Sequence, residues 1–88
     1  MSPVWKFPFE VKDHVFAIEM PEGAEILSLQ VQRDVPAIWA FIPKPRAPKI
    51  ERSFWICVTG GSCPPGKYIG TFQLAGGQFV GHLFEVTR

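Results

Sequence analysis

Apolar and polar residues alternate with a period of two along most of this 88-residue chain. The segments 13–20 and 26–33 show the alternation most clearly, and in 26–33 it places Leu27, Leu29 and Val31 on one side. Successive side chains of a β-strand point to opposite faces, so this spacing is typical of strands that are buried on one side. No window sustains the spacing of about 3.6 residues that an amphipathic helix requires.

Turn-forming residues divide the alternating pattern into short segments. The nine prolines and eight glycines argue against long helices, because proline lacks the backbone N–H and glycine favours turns. Pro8 places the first strand at a sheet edge or a bulge, and Gly76-Gly77 supplies the positive φ of a hairpin turn. The predicted strands are 4–11, 13–20, 26–33, 37–42, 51–59, 67–74 and 79–87.

These segments predict an all-β fold in a single small domain, residues 1–88. We expect about seven antiparallel strands in meander order, which form a sandwich or a partly closed barrel. The segment 37–42 is apolar on both faces, and 51–59 carries large apolar side chains on both faces as well. A sheet of this size cannot cover both faces of two such strands. We therefore expect a homodimer or a higher cyclic assembly, with Trp39, Trp55 and neighbouring Ile residues near its interface.

Charge and composition limit the partners and cofactors. A net charge of +1 gives no bias toward nucleic acid or an anionic membrane, and no run approaches the ~20 apolar residues of a membrane span. The chain also begins without the apolar run of a signal peptide, so we expect a cytoplasmic protein with Cys57 and Cys63 reduced. His14 and His82 lie too far from the cysteines for zinc-site spacing, and neither a metal nor a cofactor is expected.

The segment 59–63, Thr-Gly-Gly-Ser-Cys, follows a predicted strand and has the glycines of a phosphate-binding loop. Such a loop must open a helix, whereas Pro64 and Pro65 follow here. A cysteine nucleophile would need a base held by an acidic or amide partner, and the sequence around His82 offers none. We therefore predict a connecting loop and no catalytic residues. A smaller role remains open for Thr59 and Gly60, whose exposed backbone N–H groups would contact a ligand.

The chain concentrates positive charge in one place, around the proline-rich segment 43–49. Lys44, Arg46 and Lys49 lie within it, and Arg52 follows. Three prolines exclude a helix or an inner strand, which predicts an exposed and partly extended loop. One interpretation is a solvated loop that favours solubility; the other is a clamp for a phosphate-bearing ligand.

Aromatic residues flank this basic segment. Trp39 and Trp55 lie on the predicted strands either side of it, where they would stack a nucleotide base beside the cations. The other interpretation places both indoles in the core, since large aromatic side chains dominate small cores. His82 alternates in phase with apolar residues, which predicts an interior or rim histidine whose ring nitrogens are satisfied.

Two segments, MPEGAEILSLQVQRDVPAIWAFI and KYIGTFQLAGGQFVGHLFEV, resemble a family of short proteins of unassigned activity encoded mainly by tailed bacteriophages. The shared pattern is a Pro21-Glu22-Gly23-Ala24 turn, then Pro36 and Trp39 in the next strand, a Thr59-Gly60 loop, and the closing strands at 68–73 and 82–85. The resemblance covers nearly the whole chain, except the proline-rich loop and the GSCPPG segment. It implies a viral origin and a bacterial cytoplasm, and it transfers no catalytic residue.

The resemblance favours a binding function. Small phage proteins without catalytic signatures are often accessory factors that block host defences. We therefore expect a non-enzymatic inhibitor of a bacterial antiphage defence system, which binds a defence protein or sequesters a small nucleotide signal. The alternative is a structural or assembly protein of the virion, a decoration or scaffold protein, because open sheet edges and two-sided apolar strands suit assembly.

Overall fold

A computed structural model describes residues 1–86, and in this part of the chain seven strands form two antiparallel sheets that pack face to face. The small sheet has the strand order β1-β4-β3 and the large sheet has the order β2-β5-β7-β6. This architecture confirms the predicted all-β sandwich. The strands are β1 (Val4–Pro8), β2 (Val15–Pro21), β3 (Glu25–Gln32), β4 (Val35–Phe41), β5 (Lys49–Val58), β6 (Gly66–Leu74) and β7 (Phe79–Val86).

The strand order differs from the meander that the sequence predicts. Only β3–β4 and β6–β7 are hairpins of consecutive strands, whereas the β1–β2, β2–β3 and β4–β5 connections cross between the sheets. Within the large sheet, β7 inserts between β5 and β6. These crossings bring the apolar face of each sheet against the other, which a single seven-stranded meander would leave exposed.

Alternate residues of the central strands fill the space between the sheets. Ile38 from β4 and Phe54 from β5 are fully buried. Phe16 of β2 stacks between Phe9 and Phe54, with ring-centroid distances of 4.6 Å and 5.5 Å. Aromatic rings supply a large apolar area per residue, which stabilises a core of this size. The buried cluster consists of Phe9, Met20, Ala24, Ile38, Ala40, Ile42, Phe54, Ile56, Phe72 and Leu83.

Two β-bulges shift the strands that lie at the same edge of the sandwich. In β3 the pairing with β4 skips from Ile26 to Ser28, and in β6 the pairing with β7 skips from Tyr68 to Gly70. The prediction that Leu27 points inward is therefore wrong, since it is the extra residue of the first bulge and is 55% exposed. A bulge reverses the alternation that follows it, so a strict period of two misplaces such a residue.

The hairpins use positive φ angles where the chain turns back. Gly76 and Gly77 adopt φ values of 65° and 93°, as the sequence predicts. Arg33 and Asp34 also have positive φ, 52° and 64°, which is the geometry of a two-residue type I′ turn. The β3–β4 connection is thus shorter than the gap between the predicted strands 26–33 and 37–42, because an Arg-Asp pair lacks the glycine that normally identifies such a turn.

Among the described residues, the structure contains no helix with the length and apolar character to span a membrane.

Candidate functional site

A row of apolar side chains crosses the outer face of the large sheet. Val15, Trp55, Phe84 and Tyr68 are cross-strand partners in turn, on β2, β5, β7 and β6. The rings of Tyr68 and Phe84 meet edge to face, with their centroids 5.4 Å apart. Val15 is 45% exposed and Tyr68 is 55% exposed, because the small sheet packs on the opposite side.

A chain of hydrogen bonds runs beside this row from the loop that follows β5 across β7 to β6. His82 is held on both ring nitrogens: Nδ1 lies 2.9 Å from Thr71 Oγ1, and Nε2 lies 2.9 Å from Thr59 Oγ1. Tyr68 Oη lies 2.6 Å from the same Thr71 oxygen. We call the apolar row together with Thr59, Thr71 and His82 the large-sheet face. His82 is thus a hydrogen-bonded rim residue, which is one of the two positions that the sequence predicts.

The Thr59–His82 contact has the distance of a nucleophile–base pair. In catalytic triads a carboxylate orients the histidine and stabilises its charged form. Here Nδ1 faces the neutral hydroxyl of Thr71, and no carboxylate bonds to His82 in residues 1–86. This arrangement fixes the orientation of the imidazole through both ring nitrogens.

A disulfide joins Cys57 to Cys63, so the prediction that both cysteines are reduced is wrong. The segment between them is a connecting loop, as predicted, which turns at Gly60 (φ 85°) and is closed by the Gly61 N–H···O=C Val58 hydrogen bond of 2.9 Å. This turn returns Cys63 to the end of β5, with 5.8 Å between the two Cα atoms. The prediction relied on an assumed reducing compartment and overlooked how closely a short loop brings its ends together.

Residues 1–88 match the domain of unknown function DUF7352. The chain belongs to this family. Neither a curated protein nor a solved structure matches it. The family name carries no activity, so the function of this DUF7352 domain has to be argued from its surface and its side-chain geometry.

The basic segment of the DUF7352 domain is divided between two locations. Lys44 and Arg46 are exposed on the β4–β5 connection, as predicted, and Lys49 is exposed as the first residue of β5 instead of lying in the loop. Arg52 points between the sheets instead, where its Nε and Nη2 donate to the Glu85 carboxylate at 2.6 and 2.8 Å. The four cations therefore do not form one clamp, because Arg52 is on the inward phase of β5 with Phe54.

The two flanking tryptophans lie on opposite outer faces of the DUF7352 sandwich. Trp39 alternates with the buried Ile38 and Ala40 of the small sheet, and Trp55 alternates with Phe54 and Ile56 of the large sheet. Two packed sheets separate the indoles, and such sheets are about 10 Å apart. Neither indole is in the core, and the two cannot stack on one nucleotide base or share one two-fold interface.

Residues 1–86 contain no group of three or more His, Cys, Asp or Glu side chains that could hold a metal ion.

Proposed function

We propose that this DUF7352 domain is a non-catalytic protein-binding module whose docking surface is the large-sheet face. In the role that the phage resemblance implies, it inhibits a bacterial antiphage defence system by binding a defence protein in the host cytoplasm. The observation that carries the proposal is the continuous row from Val15 through Trp55 and Phe84 to Tyr68, which no other element of the described chain covers.

The composition of this face supports a protein partner. Protein interfaces have an apolar centre rich in tryptophan and tyrosine and a polar rim, and a few aromatic anchors contribute most of the binding free energy. The face offers Trp55 and Tyr68 as anchors and the Thr59–His82–Thr71 hydrogen bonds as a rim. The Gly61 N–H···O=C Val58 hydrogen bond restrains the loop that carries Thr59, which lowers the entropy lost when a partner orders it.

Phage plating tests the inhibitory role. The domain is expressed in bacterial strains that each carry one defence system, and phage plaques are counted with and without it. We expect plating to recover against at least one system, and affinity purification from that strain to retain a protein of the same system. No recovery across a broad panel would contradict the inhibitory role.

Sequestration of a nucleotide is the other form of this role. The domain is purified from defended and infected cells and denatured, and the released small molecules are identified by mass spectrometry. This measurement distinguishes sequestration of a nucleotide from docking on a protein. A stoichiometric nucleotide without a retained protein would favour sequestration over docking.

The cytoplasmic location is tested on the same material. Cells are lysed in a thiol-alkylating reagent, and the masses of the peptides containing Cys57 and Cys63 are measured. A cytoplasm keeps most thiols reduced, so the Cys57–Cys63 disulfide of the structure argues against this location. Alkylation of both thiols in the cell would support the cytoplasmic assignment, and an intact disulfide would contradict it.

A second candidate is a structural or assembly protein that uses the large-sheet face to contact copies of itself. Edge strands favour it, because β2 of the large sheet has β5 on one side and an unpaired backbone on the other. Abundance of the protein in purified virions, measured by mass spectrometry, would support this role, and near absence would support the inhibitor. The oligomer expected from the sequence is tested by sedimentation at micromolar concentrations, where a mass that stays at 9.9 kDa excludes it.

A further inference from the structure

A groove of about 360 Å³ opens between β3 and β6, away from the centre of the large-sheet face. Both of its banks are bulged, with Leu27 as the extra residue in β3 and Ile69 as the extra residue in β6. Next to the bulges the strands touch, since a Cβ at Gly70 would lie 3.3 Å from Leu29 Cδ2. Bulges bend a strand and redirect its side chains. The two bulges together therefore separate β3 from β6 beside this contact.

The floor of the groove is the Arg52–Glu85 ion pair. The two side chains are only 19% and 17% exposed, and the pair is bidentate. Arg52 Nη1 also donates to the Ala24 carbonyl at 2.6 Å and approaches Met20 Sδ at 3.8 Å. A guanidinium has five N–H groups, so one hydrogen of Nη2 is left without a protein partner in the described chain. The guanidinium is therefore fixed in place, and one N–H of Nη2 remains available to a ligand.

Lys67 adds a second positive charge beside this floor. It is the cross-strand partner of Glu85 and is exposed, and within residues 1–86 its ammonium makes no hydrogen bond or ion pair. Arg52 and Glu85 neutralise each other, so Lys67 is the remaining cation on the β6 bank. On the opposite bank Glu25, the remaining charged lining residue, alternates with the inward Ile26 and is exposed. One nearby cation attracts a monoanion, while Glu25 disfavours a ligand of higher negative charge.

The mouth of the groove is apolar. Leu27 and Tyr68 are each 55% exposed on facing banks, and Ile26 and Ile69 line the space between them. Ligand sites typically combine such apolar walls with a few convergent polar groups, in volumes of about 300–1,000 Å³. This groove has both features.

We propose that this groove binds a monoanionic carboxylate that carries an apolar group. The carboxylate accepts hydrogen bonds from Lys67 Nζ and from the remaining N–H of Arg52 Nη2, and the apolar group lies between Leu27 and Tyr68. This ligand site does not depend on the proposed docking function, because its floor and β3 bank lie outside the large-sheet face.

An NMR titration of the ¹⁵N-labelled domain tests the site with 3-phenylpropionate as the probe. We expect saturable shifts in the amides of residues 24–27 and 67–69. Three control ligands each differ from this probe in one feature: acetate lacks the apolar group, 3-phenylpropanamide lacks the charge, and phenyl phosphate carries more negative charge. Each should bind at least about fivefold more weakly, since a charge-assisted hydrogen bond and a buried ring each contribute to the affinity.

Two lysine substitutions that each remove one positive charge distinguish the effect of a local contact from the effect of the overall charge. Lys67→Gln should weaken 3-phenylpropionate binding about fivefold to tenfold. Lys44→Gln, on the exposed β4–β5 connection, should leave the affinity unchanged. Equal effects of the two substitutions, equal binding of acid and amide, or shifts confined to other residues would overturn the proposal.

A second variant keeps the test decisive if Lys67→Gln fails to fold. Leu27→Ser changes an exposed bulge residue, and it should weaken 3-phenylpropionate but leave the weak binding of acetate unchanged. A peptide that ends in phenylalanine, compared with its C-terminal amide, then shows whether a chain terminus supplies the carboxylate. Tighter binding of the acid indicates a peptide ligand, and failure of both peptides while 3-phenylpropionate binds indicates a small metabolite; either result supports the carboxylate site.

Discussion

The two outer faces of the sandwich each carry one tryptophan, in different surroundings. On the small sheet, Lys6 lies across from Trp39, with its Nζ 5.4 Å from the ring centroid and 2.6 Å from Gln32 Oε1. Ser28 is the neighbour of Trp39 on the other side. On the large sheet, Trp55 lies between Val15 and Phe84.

The difference shows that neighbours across the sheet, more than the residue itself, determine what an outward aromatic side chain does. Trp39 has polar neighbours and a lysine over its ring, so the chain covers this apolar surface itself. Trp55 continues a row of apolar side chains over four strands, which leaves apolar area for a partner to bury. Only the row around Trp55 has the apolar centre that is typical of a protein interface.

Glutamate substitution of each tryptophan tests this comparison with the largest expected effect. Trp55→Glu should weaken partner binding by at least about thirtyfold, or about 2 kcal/mol, because it places a charge at the centre of the apolar row. Trp39→Glu should leave binding within about twofold, since it changes the opposite face. Binding is measured with the defence protein retained in affinity purification or, if the domain self-associates, by sedimentation.

Circular dichroism of both variants provides the control. Each should retain the β-sheet spectrum, because neither indole belongs to the buried cluster. Loss of binding in Trp39→Glu alone would reverse the assignment of the two faces, and unfolding of Trp55→Glu would make Trp55 a structural residue.

Loss of the disulfide should destabilise the loop at the edge of the large-sheet face. Cys63→Ser opens the cross-link between residues six positions apart, and the loop-entropy relation gives about 2 kcal/mol of stability for so short a loop. Urea unfolding of the variant and of the reduced wild-type protein should give the same loss. A free thiol content of two in the untreated protein would instead show that the bond does not form.

The Thr71 hydroxyl should contribute less. Thr71→Val keeps a β-branched side chain but removes the oxygen that contacts both Tyr68 and His82, and we expect a loss of about 1 kcal/mol in urea unfolding. Tyr68→Phe in the same background should then cost almost nothing, because its partner is already absent. Additive losses would show that the two hydroxyls do not act as one network.

The alternating pattern was sufficient to predict the strands, because cross-sheet burial enforces a period of two. It failed at Leu27, because the extra residue of this bulge is apolar like Ile26 and Leu29 and leaves no signal. The groove was missed for the same reason, since bulges create it. Arg52 pairs with Glu85 because β7 lies beside β5 in the sheet. The predicted meander placed β6 beside β5, so it did not bring these two residues together.

The two tryptophans show the same limit on the site prediction. Their alternation with apolar residues was visible, but the faces they occupy depend on the crossing of the β4–β5 connection between the sheets. The large-sheet face became recognisable only from the register that aligns Trp55 with Val15 and Phe84. Single-strand patterns carry no information about such cross-strand rows.

The smallest expected effect concerns the lysine that covers Trp39. Lys6→Met keeps an unbranched stem over the indole but removes the charge and the bond to Gln32, and we expect a loss of about 0.5 kcal/mol in urea unfolding. Lys44→Met serves as the control for removal of an exposed lysine charge and should leave stability unchanged. A loss above about 2 kcal/mol would show that Lys6 holds the small sheet together. An alternative outcome is that Lys6→Met remains stable but self-associates in sedimentation. That result would show that an uncovered Trp39 is sufficient for the outer face of the small sheet to bind another copy. The lysine would then be what distinguishes the two faces.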